Sequence, residues 1–173
     1  MDADLRAQAL VLLERHARSL NRLVASYART ASDRDDLLQE IALAFWQALP
    51  SFRGECSEKT FLLRVAHNRA LTFAARRGAV VRGADPIEDH EDAVVATTGK
   101  NPAIAYERGE RASRLLAAVR ALSVPHRQVL TLVLEGLSHK EIAEVLGTNE
   151  NAVGVRANRA RAALRVLLEG EVR

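Results

Sequence analysis

The sequence predicts an all-α protein in which two small helical domains are joined by a flexible linker. Alanine, leucine and arginine dominate the 173 residues, while glycine and proline number only nine and four, and this composition favours helices. Apolar residues recur at three- and four-residue steps on both sides of a central segment that lacks the period. With 48% hydrophobic residues the chain can bury a core, and a β-sandwich or barrel is not expected.

The first domain is expected to contain three helices. An amphipathic pattern over Leu10–Tyr27 predicts the first. The second is expected over about 34–48, with Asp33 as its N-terminal cap. The third begins after a suitable cap, Ser57, and ends before Gly78.

An acidic linker over residues 81–106 is expected to separate a domain at 1–80 from one at 107–173. The helical period disappears there, and glycine, proline and carboxylates accumulate. Net charge follows the same division, with +4 over residues 1–83, −4 over 84–106 and +3 over 107–173. Two basic blocks therefore flank an acidic connector, as expected if both domains bind nucleic acid.

The second domain is expected to end in a helix-turn-helix. Two helices are expected first, between Glu107 and Gly136. A capping box of Ser138 and Glu141 then begins a third helix. Gly147 ends that helix and Asn149 caps the last one.

The last helix has a residue pattern suited to the major groove of DNA. Small or polar residues come first and arginines follow without an intervening acid, in the order Glu150, Asn151, Ala152, Gly154, Arg156, Arg159, Arg161 and Arg165. Such a helix can approach base edges with its first turns and hold phosphates with its later ones. The alternative is a solvated arginine face on an ordinary helical hairpin, but the adjacent capping box and turn glycine favour DNA binding.

Aromatic and basic residues are interleaved between positions 45 and 73. Five of the seven aromatic residues lie there, namely Phe45, Trp46, Phe52, Phe61 and Phe73. Single-stranded nucleic acid is held by such mixtures, because bases stack on rings and phosphates pair with cations. For any individual ring, however, burial in a small core is the favoured interpretation.

No catalytic or metal-binding set is found, and neither an enzyme nor a cofactor is expected. Asp85, Asp89, His90 and Asp92 lie close together, but no second histidine or cysteine is near them, so a solvated linker is favoured. The single cysteine, Cys56, excludes an internal disulfide. Acidic neighbours should raise its thiol pKa, which predicts a passive residue.

Neither a signal peptide nor a membrane span is recognisable in the sequence. The first residues are acidic and lead into a mixed amphipathic segment. No apolar stretch approaches the length of a span. A cytoplasmic protein without membrane insertion is therefore expected.

Two blocks of residues resemble one protein family in the same order. Asp33–Glu40 followed by Phe45–Gly54 resembles the second conserved region of bacterial extracytoplasmic-function (ECF) sigma factors, within the sigma-70 family. Leu137–Arg165 resembles the fourth region of that family. The similarity extends over Leu13–Leu168, except for the linker. It implies a two-domain factor that binds core RNA polymerase and directs promoter-specific transcription initiation.

The resemblance also implies three binding surfaces and a regulator. Contact with core polymerase, at the clamp of its largest subunit, would involve Asp33, Asp36, Leu37, Gln39, Glu40 and Trp46. Recognition and melting of minus-ten promoter DNA would involve Phe52, Arg53, Lys59, Phe61, Arg64, His67, Asn68, Arg69, Arg76 and Arg77. Recognition of minus-thirty-five DNA would involve Lys140, Asn149, Glu150, Asn151, Ala152, Arg156, Arg159 and Arg161. The polymerase flap and an anti-sigma protein are further implied partners.

Three residues depart from the family pattern. Phe61 stands where a tryptophan is usual, His67 where an arginine is common, and Gly154 where a cation often enters the recognition helix. A glycine inside a helix costs roughly 0.5 to 1 kcal/mol. Promoter preference therefore cannot be copied from relatives.

Two other classes of function remain open at this level. A stand-alone helix-turn-helix regulator would bind duplex DNA without polymerase and would not need Asp33–Glu40 or Phe52–Arg69. A hydrolase that uses the acidic linker is opposed by the absence of a catalytic constellation.

Overall fold

A computed structural model describes the backbone of residues 2–77 and 102–170 and the side chains of residues 5–77 and 108–170. Within these ranges the protein forms eight α-helices, a single 3-10 turn and no strand, which confirms the all-α prediction. The helices are α1 (Asp2–Arg15), α2 (Ala17–Tyr27), α3 (Ala31–Ala48), α4 (Glu58–Arg76), α5 (Pro102–Ala121), α6 (Val124–Leu134), α7 (His139–Leu146) and α8 (Glu150–Gly170), and the 3-10 turn is Leu49–Ser51.

The segment predicted as one helix over Leu10–Tyr27 belongs to two helices, so that prediction was wrong. His16 separates α1 from α2 with φ −108° and ψ 14°. The chain bends there without losing hydrogen bonds, because the His16 amide donates to the Leu12 carbonyl at 3.1 Å and the Leu20 amide donates to the His16 carbonyl at 3.0 Å. The bend allows α1 to pack along α3 while α2 packs on α4.

The N-terminal cap of α3 also differs from the prediction. Thr30 is the cap, and its side-chain oxygen accepts a hydrogen bond from the Asp33 amide at 3.1 Å. Asp33 lies in the first turn instead, where its charge still favours the positive end of the helix. Threonine satisfies the same requirement as aspartate at this position, and α3 therefore begins at Ala31.

Helix α4 and the aromatic residues build the core of the N-terminal half. The predicted cap is confirmed, since the Ser57 oxygen accepts a hydrogen bond from the Thr60 amide at 3.0 Å. Phe45, Phe61 and Phe73 are buried with 0%, 5% and 4% exposure. The Phe61 ring centroid lies 5.9 Å from that of Phe45. The core interpretation is therefore confirmed for these three rings.

The C-terminal half begins with α5, which starts at Pro102 rather than where the apolar period resumes at Glu107. Proline suits the first helical turn, because its φ is preset and its missing N–H would have no partner there. The predicted linker over 81–106 therefore overlaps the start of α5. The rest of it, residues 81–101, lies outside the described residues, and so do the four candidate metal ligands Asp85, Asp89, His90 and Asp92.

Helices α7 and α8 form the predicted helix-turn-helix. Both halves of the capping box are present, since the Ser138 amide donates to Glu141 Oε2 at 2.8 Å and the Glu141 amide donates to Ser138 Oγ at 3.2 Å. Gly147 ends α7 with φ +63°, a left-handed conformation that favours glycine. Asn149 then caps α8 by accepting a hydrogen bond from the Ala152 amide at 2.9 Å.

The two halves pack against each other and share one apolar cluster. It joins side chains of the N-terminal half, including Leu37, Ile41, Leu62 and Leu63, to side chains of the C-terminal half, including Val129, Leu132, Ile142 and Val153. A smaller cluster of Val119, Leu122, Leu130 and Ala160 lies between α5, α6 and α8. The C-terminal half thus divides its apolar side chains between a core of its own and the shared one.

Candidate functional site

The acidic residues of α3 lie beside arginines of α4. Arg76 Nη2 lies 2.7 Å from Glu40 Oε2, and Arg69 Nη1 lies 3.9 Å from the same oxygen. Arg77 pairs with Asp33 and lies 3.5 Å from Asp36 Oδ2. The structure therefore combines on one surface the carboxylates expected to face polymerase and two arginines, Arg76 and Arg77, expected to face DNA.

A shallow cavity at this surface combines polar and apolar lining. Its lining consists of Asp36, Gln39, Glu40, Leu43, Phe73, Arg76 and Arg77. Leu43 is 54% exposed, which is high for a leucine. Sequence reasoning missed Leu43, although it lies seven positions after Asp36 and three after Glu40, on the same face of a helix. We refer to these seven residues as the α3–α4 surface.

Two residues predicted to contact polymerase differ sharply in exposure. Leu37 has 0% exposure and lies in the shared apolar cluster, so it cannot touch a partner in this arrangement. Trp46 is half-buried, and the Arg6 guanidinium lies 5.0 Å from its ring centroid. Leu37 therefore supports α3 from within, whereas part of Trp46 remains accessible.

The residues predicted to bind minus-ten DNA are divided between a surface and the core. Arg53 and Asn68 are exposed, and Phe52, Arg64 and Arg69 are partly exposed. Phe61 and His67 are buried. Arg64 covers Phe61, with its guanidinium carbon 5.3 Å from the ring centroid. The Phe52 ring lies 4.8 Å from that of Phe61, so these two accessible members lie beside a buried ring.

His67 is a buried histidine whose ring makes no hydrogen bond to the described residues. Its exposure is 1%, and neither ring nitrogen has a hydrogen-bond partner in the described part of the chain. The Tyr27 ring meets it edge to face at a centroid distance of 5.9 Å. Burial lowers the pKa of His67 to about 4, because a buried imidazolium loses its hydration. His67 is therefore neutral at pH 7.

Cys56 lies half-buried in the loop before α4 and is not activated. Burial is the main cause that raises its thiol pKa, and Arg64 opposes the shift. The direction agrees with the sequence prediction, although burial rather than the acidic neighbours dominates. A thiol with a raised pKa is a poor nucleophile at neutral pH.

The helix-turn-helix presents its candidate DNA-binding residues to solvent. Lys140, Asn149, Glu150, Asn151, Arg159 and Arg161 are exposed, while Ala152 and Arg156 are partly exposed. No ion pair involves Arg156, Arg159 or Arg161 within the described ranges, and Arg161 makes only a 3.4 Å hydrogen bond to Asn158. These cations are available to an external anion.

Gly154 lies in an unbroken helix at this surface. A Cβ added at Gly154 would approach the His139 ring at 3.7 Å, an ordinary contact distance. The glycine is therefore not required by close packing. Gly154 differs from the cation that is common at this position in the family, and α8 is nevertheless a continuous helix there.

Neither a metal centre nor a membrane helix is found in the part of the chain that the structure describes. No group of three or more histidine, cysteine, aspartate or glutamate side chains there could hold an ion. No helix there is long and apolar enough to cross a bilayer.

Comparison with known proteins identifies the family. The model for sigma-70 region 2 matches residues 12–80, and the model for sigma-70 region 4 matches residues 112–164. The RNA polymerase sigma factor NccH of Alcaligenes xylosoxydans is 33% identical over 165 residues, which cover 91% of this chain and 85% of that protein. The chain belongs to the sigma-70 family.

Further relatives place it within the ECF type of that family. The ECF RNA polymerase sigma factor SigM of Mycobacterium tuberculosis is 33% identical over 158 residues, covering 91% of this chain and 75% of that protein. The structure of CnrH in complex with the cytosolic domain of CnrY has a TM-score of 0.66 and 25% identity, and the match covers 98% of this chain and 97% of that one. Residues 12–80 are called region 2 below, and residues 112–164 region 4.

Contacts between region 2 and region 4 were not anticipated from the sequence. Arg22 of region 2 forms two hydrogen bonds with the carboxylate of Glu135, at 2.6 and 2.7 Å. Arg120 of region 4 donates to the carbonyls of Ala25 and Ala28 at 2.8 and 3.1 Å. Burial lowers the pKa of Arg120 to about 10, with further lowering by neighbouring arginines, and the group stays charged at neutral pH. No sequence motif marks any of these residues.

Proposed function

We propose that this ECF sigma factor directs promoter-specific initiation through three surfaces. The α3–α4 surface binds core RNA polymerase, the loop before α4 together with its exposed face binds minus-ten DNA, and α7–α8 binds minus-thirty-five DNA. The exposed, unpaired arginines of α8 behind a capped helix-turn-helix are the observation that supports this proposal most strongly.

The polymerase surface is supported by its mixture of charge and apolar area. Asp36 and Glu40 supply carboxylates that a basic partner can take over from Arg76 and Arg77. Leu43 offers exposed apolar area within the same surface. Protein interfaces of this kind combine an apolar centre with a polar rim.

The minus-ten surface is proposed with two groups of residues. Arg53, Arg64, Asn68 and Arg69 are accessible enough to touch DNA. Phe61 and His67 are assigned a supporting role instead, because they are buried. A melted base would then be held by the loop that follows Phe52, over a floor made by Phe61.

The minus-thirty-five surface requires no rearrangement of α8. Glu150 and Asn151 lie in its first turn, where a recognition helix contacts base edges. Arg156, Arg159 and Arg161 follow along the helix, where they can pair with phosphates.

Regulation by an anti-sigma protein and a cytoplasmic site of action complete the proposal. The solved structure of the similar protein CnrH contains the cytosolic domain of CnrY, and a protein partner of comparable kind is proposed here. The chain is proposed to act as a binding protein, with the chemistry of RNA synthesis supplied by the polymerase in the cytoplasm.

Run-off transcription with core polymerase tests the function. Promoter fragments selected from a genomic library should be transcribed by core enzyme plus this chain and not by core enzyme alone. DNA binding by the free chain without any stimulation of core enzyme would instead support a stand-alone helix-turn-helix regulator.

The variant Asp36→Arg tests the polymerase surface. Asp36 is exposed, so the fold should be retained, while reversal of its charge should weaken core-polymerase binding about tenfold or more. Glu110→Arg, an exposed carboxylate on α5, is the matched control. Equal polymerase affinity for a folded Asp36→Arg variant and the wild type would show that the surface is wrongly assigned.

A further inference from the structure

Val155 is an exposed apolar residue on the face of α8 that carries candidate DNA-binding residues. It is 53% exposed and belongs to neither apolar cluster of the described residues. Asn151 precedes it by four positions and Asn158 follows it by three, so the three side chains form one stripe along the helix, and both asparagines are exposed. The buried side of α8, which includes Val153 and Ala157, faces the other way. Val155 is therefore placed for a partner of region 4 and not for its core.

A shallow cavity between the start of α6 and the first half of α8 includes Val155. Its lining consists of Pro125, His126, Asn151, Ala152, Val155, Arg156 and Arg159, which we call the Val155 surface. Three of these side chains are apolar, two are arginines and none is a carboxylate. Neither arginine forms an ion pair with the residues that the structure describes. The Val155 surface thus combines apolar area with positive charge that no acid neutralises.

This combination fits duplex DNA. Thymine exposes its C5-methyl group in the major groove, and phosphates border the groove on both sides. A valine that meets this methyl group removes apolar surface from water on both partners, while the nearby arginines pair with phosphates. Asn151, one turn earlier on the same stripe, carries an amide that can make two hydrogen bonds to an adenine edge. Val155 supplies the apolar contact that Asn151 and the arginines lack.

Val155 also discriminates against the other bases, because its side chain has no hydrogen-bonding atom. In the major groove cytosine presents an amino group and guanine presents two acceptors. A valine that covers one of these groups displaces its water without replacing the hydrogen bond, which costs binding free energy. A methyl group has no such requirement. Val155 therefore favours thymine both by attraction and by exclusion of its competitors.

We propose that Val155 contacts the C5-methyl group of a thymine in the minus-thirty-five element, and that promoters of this chain therefore carry a T·A pair at that position. The proposal rests on the proposed function of α8 and adds to it a base preference at one position. Arg156 and Arg159 hold α8 on the phosphates, and Val155 distinguishes the base. Because the contact joins one methyl group to one side chain, it can be removed from either partner alone.

Uracil in place of thymine removes the methyl group from the DNA and leaves base pairing intact. In promoter duplexes selected by run-off transcription, each thymine of either strand of the minus-thirty-five element is replaced in turn by uracil. Fluorescence anisotropy then gives the affinity of each duplex for the polymerase holoenzyme. One replacement should weaken binding of the wild type about threefold, which is the loss expected when a buried methyl group is removed.

Val155→Ala removes methyl groups from the protein. The side chain is exposed and alanine favours helices, so circular dichroism should show unchanged helicity. The variant should bind the unmodified duplex about threefold more weakly than the wild type. Uracil at the sensitive position should then weaken its binding by less than about 1.5-fold, because the two changes remove the same contact. Val166→Ala, a change at a valine that is 69% exposed on the same helix, is the matched control and should retain the full effect of uracil.

Three results would overturn the contact. They are the lack of any uracil-sensitive thymine in the wild type, an equal effect of uracil in Val155→Ala and the wild type, and a loss of affinity of Val155→Ala for core polymerase without DNA. The last result would assign Val155 to a protein interface. If the chain does not stimulate core polymerase, the proposed function is wrong, and the same measurements on duplexes that the free chain selects from a random library decide the contact. Failure of the free chain to select any duplex in that case would overturn both.

Discussion

Region 2 and region 4 present their candidate binding residues in opposite ways. In region 2, Arg76 and Arg77 pair with carboxylates of α3, and Lys59 is held by region 4. In region 4, Arg156 and Arg159 have no ion-pair partner among the described residues. The proposed DNA surface of region 4 is therefore preformed, whereas the proposed surfaces of region 2 must exchange internal contacts for external ones.

The difference has an energetic basis. Exposed ion pairs such as Arg76 with Glu40 contribute little, typically 0 to about 1 kcal/mol, so a phosphate or a protein partner can replace them at small cost. Phe61 and His67, in contrast, are buried in the apolar core, and a partner cannot replace their contacts at similarly small cost. Partners of region 2 are therefore expected to displace its ion pairs while leaving its core intact.

The largest effects should come from the apolar cluster that the two regions share. Leu63 of region 2 and Ile142 of region 4 both have 0% exposure and belong to this cluster. Leu63→Ala and Ile142→Ala should each lower the free energy of unfolding by about 2 to 5 kcal/mol. Urea denaturation followed by circular dichroism should show one common transition shifted by either change.

Val166→Ala is the control for these core variants, because Val166 is 69% exposed on α8 and should change stability by less than about 0.5 kcal/mol. Two separate transitions, with Ile142→Ala affecting only one of them, would show that the regions unfold independently and that the shared cluster contributes little.

The stability of the protein should depend on pH through region 2, because His67 of region 2 is buried whereas His139 of region 4 is exposed. Burial lowers the pKa of His67 from 6.5 to about 4, so the folded protein binds fewer protons than the unfolded chain between these values. Stability should fall as pH decreases through this window, by roughly 2 kcal/mol between pH 7 and pH 5.

Urea denaturation at the two pH values measures this loss. His67→Leu should remove most of the pH dependence, whereas His139→Gln should retain it. If the stability of His67→Leu still decreased from pH 7 to pH 5, another group would be responsible for the pH dependence.

Removal of one arginine from each region tests the contrast between arginines that are ion-paired within the protein and those that are not. Arg159→Ala should weaken binding of the polymerase holoenzyme to promoter DNA about tenfold and reduce the slope of log affinity against log salt by about 1. Arg76→Ala should have a smaller effect on DNA affinity, because Arg76 already pairs with Glu40. Fluorescence anisotropy across a salt series gives both quantities, with Arg114→Ala on α5 as the control. A larger loss for Arg76→Ala than for Arg159→Ala would reverse the contrast.

The smallest expected effect is stabilisation at Gly154 of region 4. A Cβ has room there, so Gly154→Ala should raise the free energy of unfolding by about 0.5 to 1 kcal/mol through improved helix propensity. Gly147→Ala should act in the opposite direction, because Gly147 has φ +63°. Urea midpoints of the two variants measure both changes, and a loss of stability in Gly154→Ala would contradict the assignment of Gly154 as an ordinary helical position.

Local features of the fold were predictable from the sequence. The caps Ser57, Ser138 and Asn149 and the turn at Gly147 depend on a few neighbouring residues, and the structure confirms all four. The bend at His16 was missed because the apolar pattern continues through it.

The candidate site was predictable only in outline. Residue type and spacing indicated which helices would face a partner, as the exposed residues of α8 show. They could not indicate which charges neutralise one another across helices, because Arg77 lies 41 positions from Asp36 in the chain. Burial of Leu37 and His67 likewise depends on the packing of whole helices rather than on local pattern.

The arginines that bind the end of α2 have a consequence for synthesis of the protein. The carbonyls of the last turn of a helix lack partners within that helix, and those of Ala25 and Ser26 accept hydrogen bonds from Arg120 and Arg127, which lie 95 and 101 positions later. On the ribosome, α2 is therefore made long before its donors emerge. Arginine can complete its final turn only after the first part of region 4 has been translated.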